Sequence, residues 1–173
     1  MKVSKILHSA LILVVFAMLA GCSAPVDQQS AAKPLFPERH GWDLKQVSIS
    51  DTETSIDFKR VDCVWVVGHD HKPADETRVT ALAEKLVTMT PQDVSTIGPD
   101  RYSDFKVGED DFSRKVVLTF KDDTSHTLLL GTPALTKPAY VRIAGGNVVY
   151  LVDEPLIKQI HLAPGSWLAS EEG

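Results

Sequence analysis

The chain has 173 residues, a formal net charge of -5 and 43% hydrophobic residues. That is room for one ordinary domain with a real core. With 18 basic residues against 23 acidic ones, the balance argues against nucleic acid as a partner, since phosphate backbones demand clustered cations.

The first element is an export signal, expected over residues 1–21. Lys2 and Lys5 precede the apolar run Ala10-Leu11-Ile12-Leu13-Val14-Val15-Phe16-Ala17-Met18-Leu19, and small residues follow. The run is about ten residues long, well short of the roughly 20 that an ordinary spanning helix needs. Its ending, Leu19-Ala20-Gly21-Cys22, resembles a bacterial lipobox. The resemblance implies a diacylglyceryl group on the Cys22 thiol, cleavage before Cys22, and acylation of the new amino terminus, with palmitate as the usual chain. Each buried methylene contributes about 0.8 kcal/mol, so two or more chains make a stable membrane anchor. Loss of Lys2 and Lys5 with the signal leaves the remainder more acidic still. Lipid rather than surface charge is therefore expected to provide membrane attachment. Ser23 stands where an aspartate would usually retain a lipoprotein in the inner membrane. In a Gram-negative cell that favours the periplasmic face of the outer membrane.

Residues 22–34 are small and polar with no periodic apolar face, and read as a tether. A globular domain is expected over 35–165, with a frayed tail at 166–173. Leu44, Val47 and Ile49, then Ile56 and Phe58, then 61–67 read as three strands of an antiparallel meander. Asp75 is placed to cap a helix reaching about Met89, with Val79, Leu82, Leu86 and Met89 on one stripe and Pro91 beyond. Residues 91–107 are polar and turn-rich, with Ile97, Tyr102 and Phe105 as anchors. The clearest hairpin pairs 115–121 with 124–130 across Asp122-Asp123, its Val116, Leu118 and Phe120 sharing a face. A loop at 131–138 leads to a second hairpin, 140–143 with 148–152, turning at Gly145-Gly146-Asn147. A short closing helix is expected at 154–161. About eight short strands and one main helix, with no repeated strand-to-helix crossover, indicate an α+β fold: a largely antiparallel sheet of hairpins packed by that helix.

The candidate chemistry is thin. With Cys22 lipidated, Cys63 is the one remaining thiol, and inside an apparent strand it is expected to be buried and inert. His69 and His71 alternate about Asp70, so an extended segment would aim both at a shared metal if Asp75 or Glu76 joined them. An exposed turn is the simpler reading, and no metal or cofactor is assigned. His40, His126 and His161 have no ligand-like spacing. Glu109, Asp110, Asp111, Asp122 and Asp123 sit in turns and lack both the cleft-flanking placement of glycosidase carboxylates and the ligand spacing of a calcium loop. Ser166 is in no nucleophile elbow, and Gly145-Gly146 lacks the helix of a phosphate cradle. No catalytic residue is assigned. Among Trp42, Trp65, Tyr102, Tyr140, Tyr150 and Trp167, most fall where core packing explains them, and Trp167 is expected to be the exposed one.

Taken in order, several stretches resemble the domain of unknown function 4340 family. They are Trp42 with Val47 and Ile49, Cys63-Val64-Trp65-Val66-Val67, and the helix from Asp75. Leu128-Leu129-Leu130-Gly131, Tyr140-Val141-Arg142, Gly145-Gly146-Asn147 and Val149-Tyr150-Leu151-Val152 follow. The resemblance spans roughly residues 42–162. It implies an exported, membrane-attached protein and carries over no catalytic residues. Two functions follow. The preferred one is an envelope lipoprotein whose non-enzymatic domain binds a protein partner or supports an assembly. The alternative is a periplasmic small-molecule-binding, glycan-binding or hydrolytic lipoprotein, which would require a deep pocket of converging Asp, Glu or His.

Overall fold

The computed structural model describes residues 33–95, 97–132, 139–152 and 158–170. The signal, Cys22 and the first half of the expected closing helix, residues 154–157, lie outside the described residues. A first meander comprises β1 (Leu44–Ser50), β2 (Ser55–Val61), β3 (Val64–Val67) and a two-residue β4 (Lys72–Pro73). Then come α1 (Glu76–Val87), β5 (Asp93–Ser95) and a 3-10 segment, Pro99–Phe105. A second meander follows: β6 (Arg114–Phe120), β7 (Ser125–Gly131), β8 (Ala139–Ile143) and β9 (Val149–Val152). The two meanders join along β1 and β6, and β5 closes the far edge beside β9. The result is one nine-stranded antiparallel sheet in the order β4-β3-β2-β1-β6-β7-β8-β9-β5. An antiparallel α+β domain is what hairpin spacing and a single long apolar stripe predict.

Alternation decides the faces of the first meander. Val47, Ile49, Ile56 and Phe58 point into the main core, while Ser48, Asp57 and Lys59 point the other way. The main core is closed by α1. Asp75 caps it by accepting from the Arg78 backbone N–H at 3.1 Å. Val79, Leu82, Leu86 and Met89 are all buried, each burial stabilising by about 1.5–3 kcal/mol. The helix stops at Val87 rather than Met89, and the Met89 carbonyl instead accepts from the Leu35 N–H at 2.9 Å. Gly41 lets the incoming chain lie against the helix: a Cβ there would sit 2.8 Å from the Glu84 backbone nitrogen. Its N–H donates to Glu84 Oε2 at 2.7 Å.

Two expectations about this half are corrected. Residues 61–67 are not one strand. Val61 pairs with Val64 across a two-residue turn in which Asp62 has φ 49° and Cys63 φ 69°. Positive φ at both central residues is the type I′ geometry that matches strand twist. Cys63 therefore stands exposed at a hairpin tip, not buried in a strand. Trp167 is the second correction, being only 4% exposed. The C-terminal segment folds back, the Trp167 carbonyl accepting from the Asp75 N–H at 2.8 Å. Leu168 bridges Ala74, and the Trp167 ring meets Phe58 edge-on at 5.1 Å.

The second meander is covered on both faces. Beneath it lies the main core; above it a smaller cluster of Ile97, Val107, Leu129 and Val149 is flanked by Tyr102, Phe105, Phe112 and Tyr140. Arg142, 3% exposed, pins that cover. Its Nε donates to the Val107 carbonyl, Nη1 to the Gly146 carbonyl and Nη2 to Glu109 Oε1, each at 2.8 Å. The guanidinium also lies 4.3 Å over the Tyr102 ring. At the end of β7, Gly131 admits the same segment. A Cβ there would overlap the Phe105 carbonyl oxygen and come within 2.7 Å of that of Lys106.

Candidate functional site

Among the described residues a cleft of about 250 Å³ lies between α1 and the C-terminal segment. Arg78, Ala81, Leu82 and Lys85 supply the helix wall, and Gln159, His161 and Trp167 the opposite one. The helix places Arg78 and Lys85 two turns apart on one side, about 10 Å along its axis. Trp167 is fixed from three directions: its indole N–H donates to the His161 carbonyl at 2.7 Å, Phe58 abuts it, and the Arg78 guanidinium lies 5.1 Å over the ring. Arg78 Nη1 also donates to the Ser166 carbonyl, and Lys85 Nζ donates to Gln159 Oε1 at 2.7 Å. Both cations thus hold neutral oxygens, and no Asp or Glu lines the cleft among the described residues. Such a wall can hold an anion and an apolar group. Among its described lining residues there is no Ser, Thr, Cys, Asp or Glu.

Four of the five turn carboxylates singled out in the sequence are structural braces, and Asp110 is exposed. Glu109 grips Arg142, Asp111 pairs with Lys106 at 2.8 Å, Asp122 with Arg39 at 2.7 Å, and Asp123 with Lys45. Asp122 also accepts from the Thr124 hydroxyl at 2.6 Å. That bond first, and the Arg39 bond after it, lower its pKa to about 2. The Arg142 hydrogen bond holds Glu109 below its ordinary value. Asp51 is lowered by the backbone N–H groups of Glu53 and Thr54.

His69 and His71 occupy the β3–β4 turn, where His71 has φ 51°. The alternation of an extended strand does not apply there. Among the described residues no group of three or more His, Cys, Asp or Glu is arranged to hold a metal ion. Of the aromatics, Trp65 is fully buried and Trp42 is the exposed one at 56%, stacked on His40 at 4.0 Å. Sequence reasoning passed over Arg78, Lys85 and Gln159. The available signal was two basic residues at i, i+7 on the predicted helix, beside its apolar stripe.

Among the described residues no helix is long and apolar enough to cross a membrane. The chain matches no curated protein and no solved structure. A family model described as a domain of unknown function (DUF4340) matches residues 65–171. That is more than half of the chain, taking in α1, the second meander and both walls of the cleft, and the chain belongs to this family.

Proposed function

We propose that this protein is a lipoprotein of the bacterial envelope, anchored through acyl chains on Cys22, whose domain serves protein interaction or assembly rather than catalysis. In a Gram-negative cell its place is the periplasmic face of the outer membrane, for which Ser23 after the lipobox is the support. The observation that carries the interaction reading is the wall chemistry of the cleft. Its polar groups are Arg78, Lys85, Gln159 and His161 around a fixed indole, a recognition set. Four of the five turn carboxylates that could serve acid–base work are instead tied to Arg142, Lys106, Arg39 and Lys45.

The test is affinity capture of the lipidated protein from its own envelope under gentle extraction, after reversible crosslinking. A reproducible, saturable protein partner is the expected result. Finding none, while a small metabolite or glycan copurifies in stoichiometric amount, would replace this reading with the small-ligand alternative. The anchor is tested separately. Cys22→Ser should release the folded domain from the membrane fraction, and full retention after signal cleavage would remove the lipid from the account.

A further inference from the structure

The cleft beside α1 narrows what such a partner must present. Resting on the interaction reading above, we propose that it receives an acidic peptide segment of a partner protein, with an apolar residue between its carboxylates. Carboxylates would meet Arg78 and Lys85, and an apolar side chain would lie on Ala81, Leu82 and Trp167.

Charge is the first argument. The chain carries a net charge of -5, yet this concavity has two fixed cations and no carboxylate among its described lining residues. Ion pairs elsewhere join Arg39, Lys45, Lys106, Arg114 and Arg142 to acids. Arg78 and Lys85 instead donate to the Ser166 carbonyl and the Gln159 amide oxygen, and neither side chain is ion-paired to an acid among the described residues. A carboxylate is the stronger acceptor for both.

Size and spacing give the second argument. A volume of about 250 Å³ falls under the roughly 300–1,000 Å³ of pockets for drug-sized ligands, and suits one or two inserted side chains. The two cations are about 10 Å apart along the helix, which an extended peptide covers in about three residues. An acidic residue near each end with an apolar one between them matches the wall. The third argument is rigidity. Trp167 is held by its N–H bond, by Phe58 and by Arg78, so the apolar surface is formed before binding and little ordering cost remains.

The probe is a display library of random heptapeptides panned against the mature domain, followed by a synthetic copy of the leading sequence. Enrichment of Asp or Glu next to Leu, Phe or Trp is expected, with affinity falling as salt rises. Arg78→Gln and Lys85→Glu should each weaken the synthetic peptide about tenfold or more. Arg78 also supports Trp167, so its variant is accompanied by thermal unfolding; Lys85 is exposed in the last turn of α1, and Lys85→Glu should lower the melting temperature by only a few degrees. Enrichment without acidic residues, or binding indifferent to Lys85→Glu, would overturn the proposal. So would the absence of enrichment, or equal competition by succinate or inorganic phosphate at matched concentration. A partner captured from the envelope and crosslinked elsewhere would sink this site while leaving the interaction reading in place.

Discussion

The two meanders share one sheet and differ in what covers them. Strands β1 to β3 are buried on one face only: across from Val47, Ile49 and Phe58 lie Gln46, Ser48, Asp57, Lys59, Val61 and Val64, open to solvent in varying degree. Strands β7 to β9 are buried on both faces, with Leu128 and Leu130 in the main core and Leu129 between them in the upper cluster. The difference is written locally as alternation in one half and a continuous apolar run in the other. It teaches that the polar segment at 97–112, unremarkable by composition, is a structural layer.

That comparison breaks most sharply at Gly131. Gly131→Ala drives a methyl into the Phe105 and Lys106 carbonyls, and should destabilise the domain by about 3 kcal/mol in denaturant unfolding. Gly165→Ala, with open space around it, should change little. Next comes Arg142→Met, which strands the Val107 and Gly146 carbonyls and Glu109. A loss of about 2–3 kcal/mol is expected, with amide hydrogen exchange rising first at 97–112 while β1 and β2 stay protected. Uniform loss of protection would mean that the upper layer is not a separable unit.

On the single-sided half, Cys63 should react with a maleimide in the native state as fast as an exposed thiol. Cys63→Gly should add about 1 kcal/mol by relieving left-handed backbone at a non-glycine residue. A protected thiol would refute the hairpin tip. The smallest effect is expected at Asp122. Its folded pKa of about 2 lies under the ordinary 3.8, so its contribution is complete above about pH 4 and fades as pH falls toward 2. Asp122→Asn should flatten that part of the acid stability profile: its small loss of stability should be present across the neutral range and vanish as pH falls toward 2.

How much of this could be read from the chain follows from the range of the forces involved. Strand alternation, the Asp75 cap, the α1 stripe and both glycine- and aspartate-marked hairpins are local, and each is where its residues indicate. Asp62-Cys63 was hidden because no Gly or Asn advertises a left-handed turn, and valines on both sides imitate a continuous strand. β5 was hidden for another reason: Asp93 and Ser95 are strand residues only because β9 offers an edge. Trp167 follows Pro164-Gly165, the usual mark of a loop end, yet the indole has Phe58 to bury against, a partner more than 100 residues away. In the cleft, helix periodicity places Arg78 and Lys85 together, but their neighbours Gln159 and Trp167 arrive from the far end of the chain.

The brevity of β4 and β5 has a consequence for how the molecule meets others. One edge of the sheet ends in Lys72-Pro73, which offers little more than one free backbone donor, and the other in a three-residue strand containing Asp93. Beyond β4, the Trp65 N–H is already taken by Glu76 Oε2 at 2.9 Å and its carbonyl by the Ala74 N–H. Such stubs give a foreign strand almost nothing to zip onto. Neighbouring copies of the chain would thus find almost no free main chain at either edge of the nine-stranded sheet, and contacts there would fall to side chains rather than to main-chain pairing.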